Sequence, residues 1–85
     1  MPRYVVEYEF KVPLSDELHN EDARRLDPCL AQYGATWVAS YLAQDRMKMF
    51  CEFEAESQEQ IRTALRSGDV RFARVWPCIK YSRGG

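Results

Sequence analysis

Hydrophobic and polar residues alternate at the start of the chain. Over residues 3–12, Tyr4, Val6, Tyr8 and Phe10 fall on one side, and Arg3, Val5, Glu7, Glu9 and Lys11 on the other. That period of two predicts a strand with one covered face, ended by Pro13. The period then changes. Ala23, Leu26, Leu30 and Tyr33 recur at helical spacing, and Gly34 is a natural stop, so residues 14–34 read as a helix. Asp16, Glu17, Glu21 and Asp22 before the stripe suit the positive end of its dipole. Pro28 sits inside it. A proline there removes the bond to residue 24 and disfavours helical geometry at Asp27, which predicts a helix kinked or split at that point.

Two more strands follow, over residues 35–43 and 46–55, around a turn at Gln44-Asp45. That turn places Tyr41 opposite Lys48, Ala39 opposite Phe50 and Trp37 opposite Glu52, with Val38 and Leu42 sharing a face with Met47, Cys51 and Phe53. Gln-Asp lacks the glycine that tight hairpins favour, so a longer loop is the alternative. Ser57 and Gln60 then form an S-x-x-Q capping box, opening a helix through Ile61, Ala64 and Leu65 to Ser67-Gly68. Residues 71–81 alternate again as a final strand, in which Pro77 calls for an edge position or a bulge.

The order β-α-β-β-α-β, with right-handed crossovers, predicts a ferredoxin-like α+β fold. Four antiparallel strands form one sheet with both helices on one face. Tyr4, Val6, Tyr8, Phe10, Val38, Leu42, Met47, Cys51, Phe53, Val75 and Ile79 are expected on the helix side. Val5, Glu7, Trp37, Tyr41, Lys48, Phe50, Glu52, Arg74, Trp76 and Cys78 are expected on the other. Large aromatic rings on that open face are costly to leave in water. A face-to-face homodimer would bury them and enclose Glu7, Glu52, Lys48 and Arg74, which must then pair. Glu7, Trp37, Tyr41, Phe50, Glu52 and Trp76 are therefore the candidate ligand-cavity residues.

Composition narrows the function. Eighty-five residues make one small domain, residues 1–81, followed by a flexible tail over 82–85. The net charge is −1, and acidic and basic residues are interspersed, so no basic stripe for nucleic acid is present. The chain has no long apolar run for a membrane span and no signal-like N-terminus. The three cysteines, Cys29, Cys51 and Cys78, are widely spaced, with no C-x-x-C pair, which suits free thiols in the cytoplasm. No serine or histidine nucleophile accompanies Glu7 and Glu52.

The segments Tyr4-x-Val6-Glu7-x-x-Phe10, Thr36-Trp37-Val38-Ala39-Ser40-Tyr41, Lys48-Met49-Phe50-Cys51 and Ala55-x-Ser57-x-Glu59-x-Ile61-Arg62, in that order, resemble a family of small bacterial nickel-binding proteins. The resemblance spans nearly the whole chain. It implies a ferredoxin-like fold, assembly as a dimeric α/β barrel and a nickel cofactor. Family members carry histidine between the valine and serine of the first hairpin strand, where this chain has Ala39. A methyl group cannot replace an imidazole ligand. The only histidine, His19, lies among carboxylates in the first helical region, where it could ligate a metal with Glu21, Asp16 or Asp22.

The expectation is thus a dimeric α/β-barrel binding protein holding nickel, another metal or a small molecule in the cavity between sheets. Two alternatives stand beside it. One is a cofactor-free monooxygenase- or isomerase-like enzyme with Glu7 or Glu52 as base. The other is a structural module whose aromatic face only dimerises.

Overall fold

A computed structural model describes residues 1–84, so Gly85, the last residue of the expected tail, lies outside the described residues. The elements are β1 (Arg3–Glu9), α1 (Asp16–Gln32), β2 (Thr36–Leu42), β3 (Lys48–Glu54), α2 (Gln58–Ser67) and β4 (Arg74–Cys78). The strands form one antiparallel sheet in the order β2-β3-β1-β4. This is the expected ferredoxin-like arrangement. Each β-α-β unit crosses over one strand, so the first and third strands in sequence lie at the centre.

The alternation of β1 sorts its residues as expected: Tyr4, Val6 and Tyr8 are buried beneath the helices. Met49, Cys51 and Phe53 of β3, Val75 of β4, Leu26 and Leu30 of α1, and Ile61, Ala64 and Leu65 of α2 complete the core. The capping box of α2 is formed in both directions. The Gln60 amide N–H donates to Ser57 Oγ at 3.4 Å, and the Ser57 amide N–H donates to Gln60 Oε1 at 2.9 Å. Gly68 ends α2 against α1. A Cβ there would come within 3.3 Å of the Arg25 carbonyl and Leu26 Cα, and the Arg25 Nε–H donates to the Gly68 carbonyl at 3.0 Å.

The sequence expectations need correction at four places. Helix α1 is not split: it runs unbroken from Asp16 to Gln32 with Pro28 inside. Its buried anchors, Leu26 and Leu30, flank the proline, so packing holds the helix together across it. Ser15 caps the helix start by accepting from the Leu18 N–H.

The hairpin loop is longer than Gln44-Asp45. It spans residues 43–47, closed by Ala43 N–H to Lys48 O at 2.9 Å and Arg46 N–H to Ala43 O at 2.8 Å. Arg46 takes the left-handed φ of 63° that glycine would normally supply. Its guanidinium donates to the Leu14 carbonyl at 2.8 Å and to Asp16 at 3.0 Å, which holds it there. With this loop Tyr41 pairs with Phe50 and Ala39 with Glu52.

A β-bulge between Trp37 and Ala39 leaves Val38 unpaired and exposed. One extra residue reverses the face of everything beyond it. Trp37 therefore pairs with Phe53 and turns to the helix side. Leu42 keeps its helix-side parity opposite Met49, but this edge strand is thinly covered and Leu42 stays exposed.

Strand β4 stops at Cys78, which pairs with Arg3 at the start of β1. Beyond that point β4 has no neighbour to bond. Ile79, expected in the core, is 80% exposed. Pro77 sits on the edge strand, as a residue without an N–H requires.

Candidate functional site

The open face presents Arg3, Val5, Glu7 and Glu9 from β1, Lys48, Phe50, Glu52 and Glu54 from β3, Ala39 and Tyr41 from β2, and Arg74, Trp76 and Cys78 from β4. A concavity of about 300 Å³ lies on it. Val5 forms its floor, Phe50 and Tyr41 stand on one side, and Trp76 stands on the other. Tyr41, Phe50 and Trp76 are 65%, 44% and 38% exposed, a large aromatic surface for so small a protein.

Polar groups fix these walls. The Trp76 indole N–H donates to Glu7 Oε2 at 2.5 Å, and Arg74 lies 3.3 Å from the same oxygen. Glu7 thus holds the indole in place and does not itself line the concavity. The expected Glu7–Arg74 pair forms. Glu52 does not pair with Lys48. It lies two same-face rows from Lys48 along β3, beside Val5, where the Arg3 guanidinium donates to it and Lys80 Nζ stands 3.6 Å away. Arg3 also donates to Glu54 at 2.7 Å, so one guanidinium bridges two carboxylates.

Of the expected cavity residues, the structure brings Tyr41, Phe50, Glu52 and Trp76 together, sets Glu7 beside them, and carries Trp37 to the opposite side of the sheet. There Trp37 stacks on Phe53 with 5.7 Å between ring centroids and meets His19 edge-on at 5.8 Å. Its N–H donates to Ser40 Oγ at 2.8 Å, and Ser40 Oγ lies 3.0 Å from Cys51 Sγ. Burial raises the Cys51 thiol to about 11, against hydrogen bonds from Ser40, Tyr8 and Trp37 that lower it. Burial likewise raises the Tyr8 phenol. Both groups stay neutral at ordinary pH and serve packing. Arg3, Val5, Cys51, Cys78, Ile79 and Lys80 also line the concavity and were not among the candidate cavity residues. Arg3 shares the parity of Val5 and Glu7, and Lys80 that of Trp76 and Cys78, so alternation carried the signal for both.

Among the described residues, the donors that a metal would need do not converge. His19 lies on α1 against Trp37, across the sheet from Glu52, and Ala39 offers only a methyl beside Glu52. Among the described residues, no three of His, Cys, Asp and Glu come together as a metal site. One copy of the chain does not fit a nickel centre. Among the described residues, too, no helix is long and apolar enough to cross a membrane.

A βαββαβ sheet with both helices on one side and aromatic rings on the other is a ferredoxin-like α+β domain with one open face. Residues 4–78 match the nickel-responsive SCO4226-like proteins, and the chain belongs to that family. Among solved structures it is similar to SCO4226 from Streptomyces coelicolor A3(2), with a TM-score of 0.83 and 5% identity, over 94% of this chain and 99% of that one. At that identity the likeness speaks for the fold alone. No curated protein matches the chain.

Proposed function

We propose that the protein is a small-ligand binding protein that acts as a homodimer, two copies closing their open sheet faces over a shared cavity. The observation that carries this reading is the group of exposed rings, Tyr41, Phe50 and Trp76, around a concavity floored by Val5. Only the exposed part of each side chain, 65%, 44% and 38% for Tyr41, Phe50 and Trp76, is left to bury, and together they still form a substantial apolar gain on association. Glu7 and Glu52 would not oppose closure, because each already has cationic or N–H partners within its own sheet.

Binding is favoured over catalysis by the same contacts. Both carboxylates that would serve as base are engaged, Glu7 by Trp76 and Arg74 and Glu52 by Arg3 and Lys80. The family's description makes nickel a ligand to test. In this chain it would need donors from both copies. Three unpaired thiols, Cys29, Cys51 and Cys78, suit the reducing conditions of the cytoplasm.

Light scattering across a concentration series tests the assembly. The dimer mass is expected, and a monomer at high micromolar concentration overturns it. Calorimetry of metal-free protein with nickel separates the metal from the organic reading: heat no greater than the buffer blank retires nickel for this chain.

A further inference from the structure

We infer that the concavity takes a small organic monocation, an ammonium group on a flat apolar body, and that Lys80 occupies the ammonium's place in the free protein. This inference rests on the ligand-binding reading above and names the class of ligand.

Glu52 is the one buried charged residue among those described, 8% exposed, and it stands at the edge of an apolar concavity. A carboxylate in that position is costly unless a cation meets it. Two cations do, on very different terms. Arg3 belongs to β1 and is tied at once to Glu52 and Glu54, so it is part of the sheet. Lys80 follows the end of β4. To bring Nζ to 3.6 Å from Glu52 on β3, the chain beyond Cys78 must lean over the open face across β1. That separation exceeds a normal charge-assisted hydrogen bond of about 2.7–2.9 Å. The Lys80 side chain is about half exposed, and its neighbours Ile79 and Tyr81 are exposed as well. Lys80 is therefore the replaceable partner.

Charge decides what can replace it. Arg3 and Lys80 balance Glu52 and Glu54. Lifting Lys80 away leaves one uncompensated negative charge beside the concavity. A monocation restores neutrality, whereas an anion would add to the excess. The walls favour the same class. Trp76 commits its N–H to Glu7, which lies outside the concavity, so it offers the ligand ring surface rather than a donor. Tyr41 and Phe50 add two more rings. Aromatic faces beside a carboxylate attract organic cations through the ring quadrupole. The volume of about 300 Å³ suits a single ring or short alkyl body.

Calorimetric titration of the full chain with 2-phenylethylamine and with 2-phenylethanol, its uncharged counterpart, tests this. The amine is expected to bind roughly tenfold more tightly or better, the margin of a charge-assisted contact. Lys80→Ala, on an exposed segment outside the sheet, is expected to strengthen amine binding several-fold relative to the alcohol. Glu52→Gln is expected to erase the preference. Equal binding of the two probes overturns the cation assignment and leaves the ligand-binding reading standing. Amine affinity that is unchanged or weaker in Lys80→Ala overturns the role given to Lys80. Binding of neither probe overturns the cation assignment, while dimer formation judged by light scattering still decides the assembly.

Discussion

The two faces of the sheet use the same strands and both carry aromatic rings, yet hold those rings in different ways. On the helix side, Phe53 is fully buried, with Trp37 stacked over it and His19 against Trp37. Those rings are placed by packing. On the open side, Trp76 is placed by a hydrogen bond to Glu7, and the nearest charges are tied in pairs across strands. The rings there stay exposed and their surroundings stay polar. A packed face gives stability to one chain. A face of tethered rings and balanced charges is kept in shape without being filled, which leaves room for a ligand or a second copy.

Substitutions that treat the two faces alike should show how unlike they are. The largest effect is expected from Phe53→Ala, a cavity in the middle of the helix-side core. It should lower stability by about 3–5 kcal/mol, read from urea unfolding. Next is the alkaline limit. The folded chain holds the Cys51 thiol neutral, up from 9.0 to about 11. The unfolded chain loses that proton first. Stability is therefore complete below about pH 9 and falls as pH rises toward 11, by roughly 2–3 kcal/mol in all. Tyr8, shifted in the same direction, adds its own loss from about pH 10. Cys51→Ala should remove the part of the decline that begins near pH 9, as seen in thermal melts across that range.

A smaller effect on the same face is expected from Ser57→Ala, which deletes one half of the capping box that starts α2. A cost of about 1 kcal/mol in urea unfolding is expected. The smallest belongs to the open face. Phe50→Ala should change the unfolding free energy of dilute protein by less than about 0.5 kcal/mol, yet weaken self-association in light scattering. If Phe50→Ala instead destabilises the dilute chain as strongly as Phe53→Ala, the contrast between the faces fails.

Much of this was legible from residue order. The capping box of Ser57 and Gln60 is a local motif, and it formed as written. The alternation of β1 needed only a period of two. Pro77, which cannot donate to a neighbour, called for an edge position or a bulge, and β4 is an edge strand. Where reading failed, the deciding contact was distant in sequence. Pro28 reads as a kink or a split, and the split does not occur because the buried Leu26 and Leu30 carry α1 past it. The bulge at Val38 cannot be read from the alternation of β2, whose two faces both carry large residues. It moved Trp37, the most conspicuous candidate for the cavity, to the other side.

The sequence by itself determined the element order, the sheet's central strands and the existence of two differently composed faces. These depend on the periods of two and 3.6 and on backbone handedness, which every chain shares. Tertiary structure decided the contents of the site. A single unpaired residue at Val38 inverts a face, and the end of β1 at Arg3 releases β4 at Cys78. That release frees the segment that carries Lys80 to Glu52. Register and strand ends are set by which partner runs out first, and that is a property of pairs of segments rather than of either one.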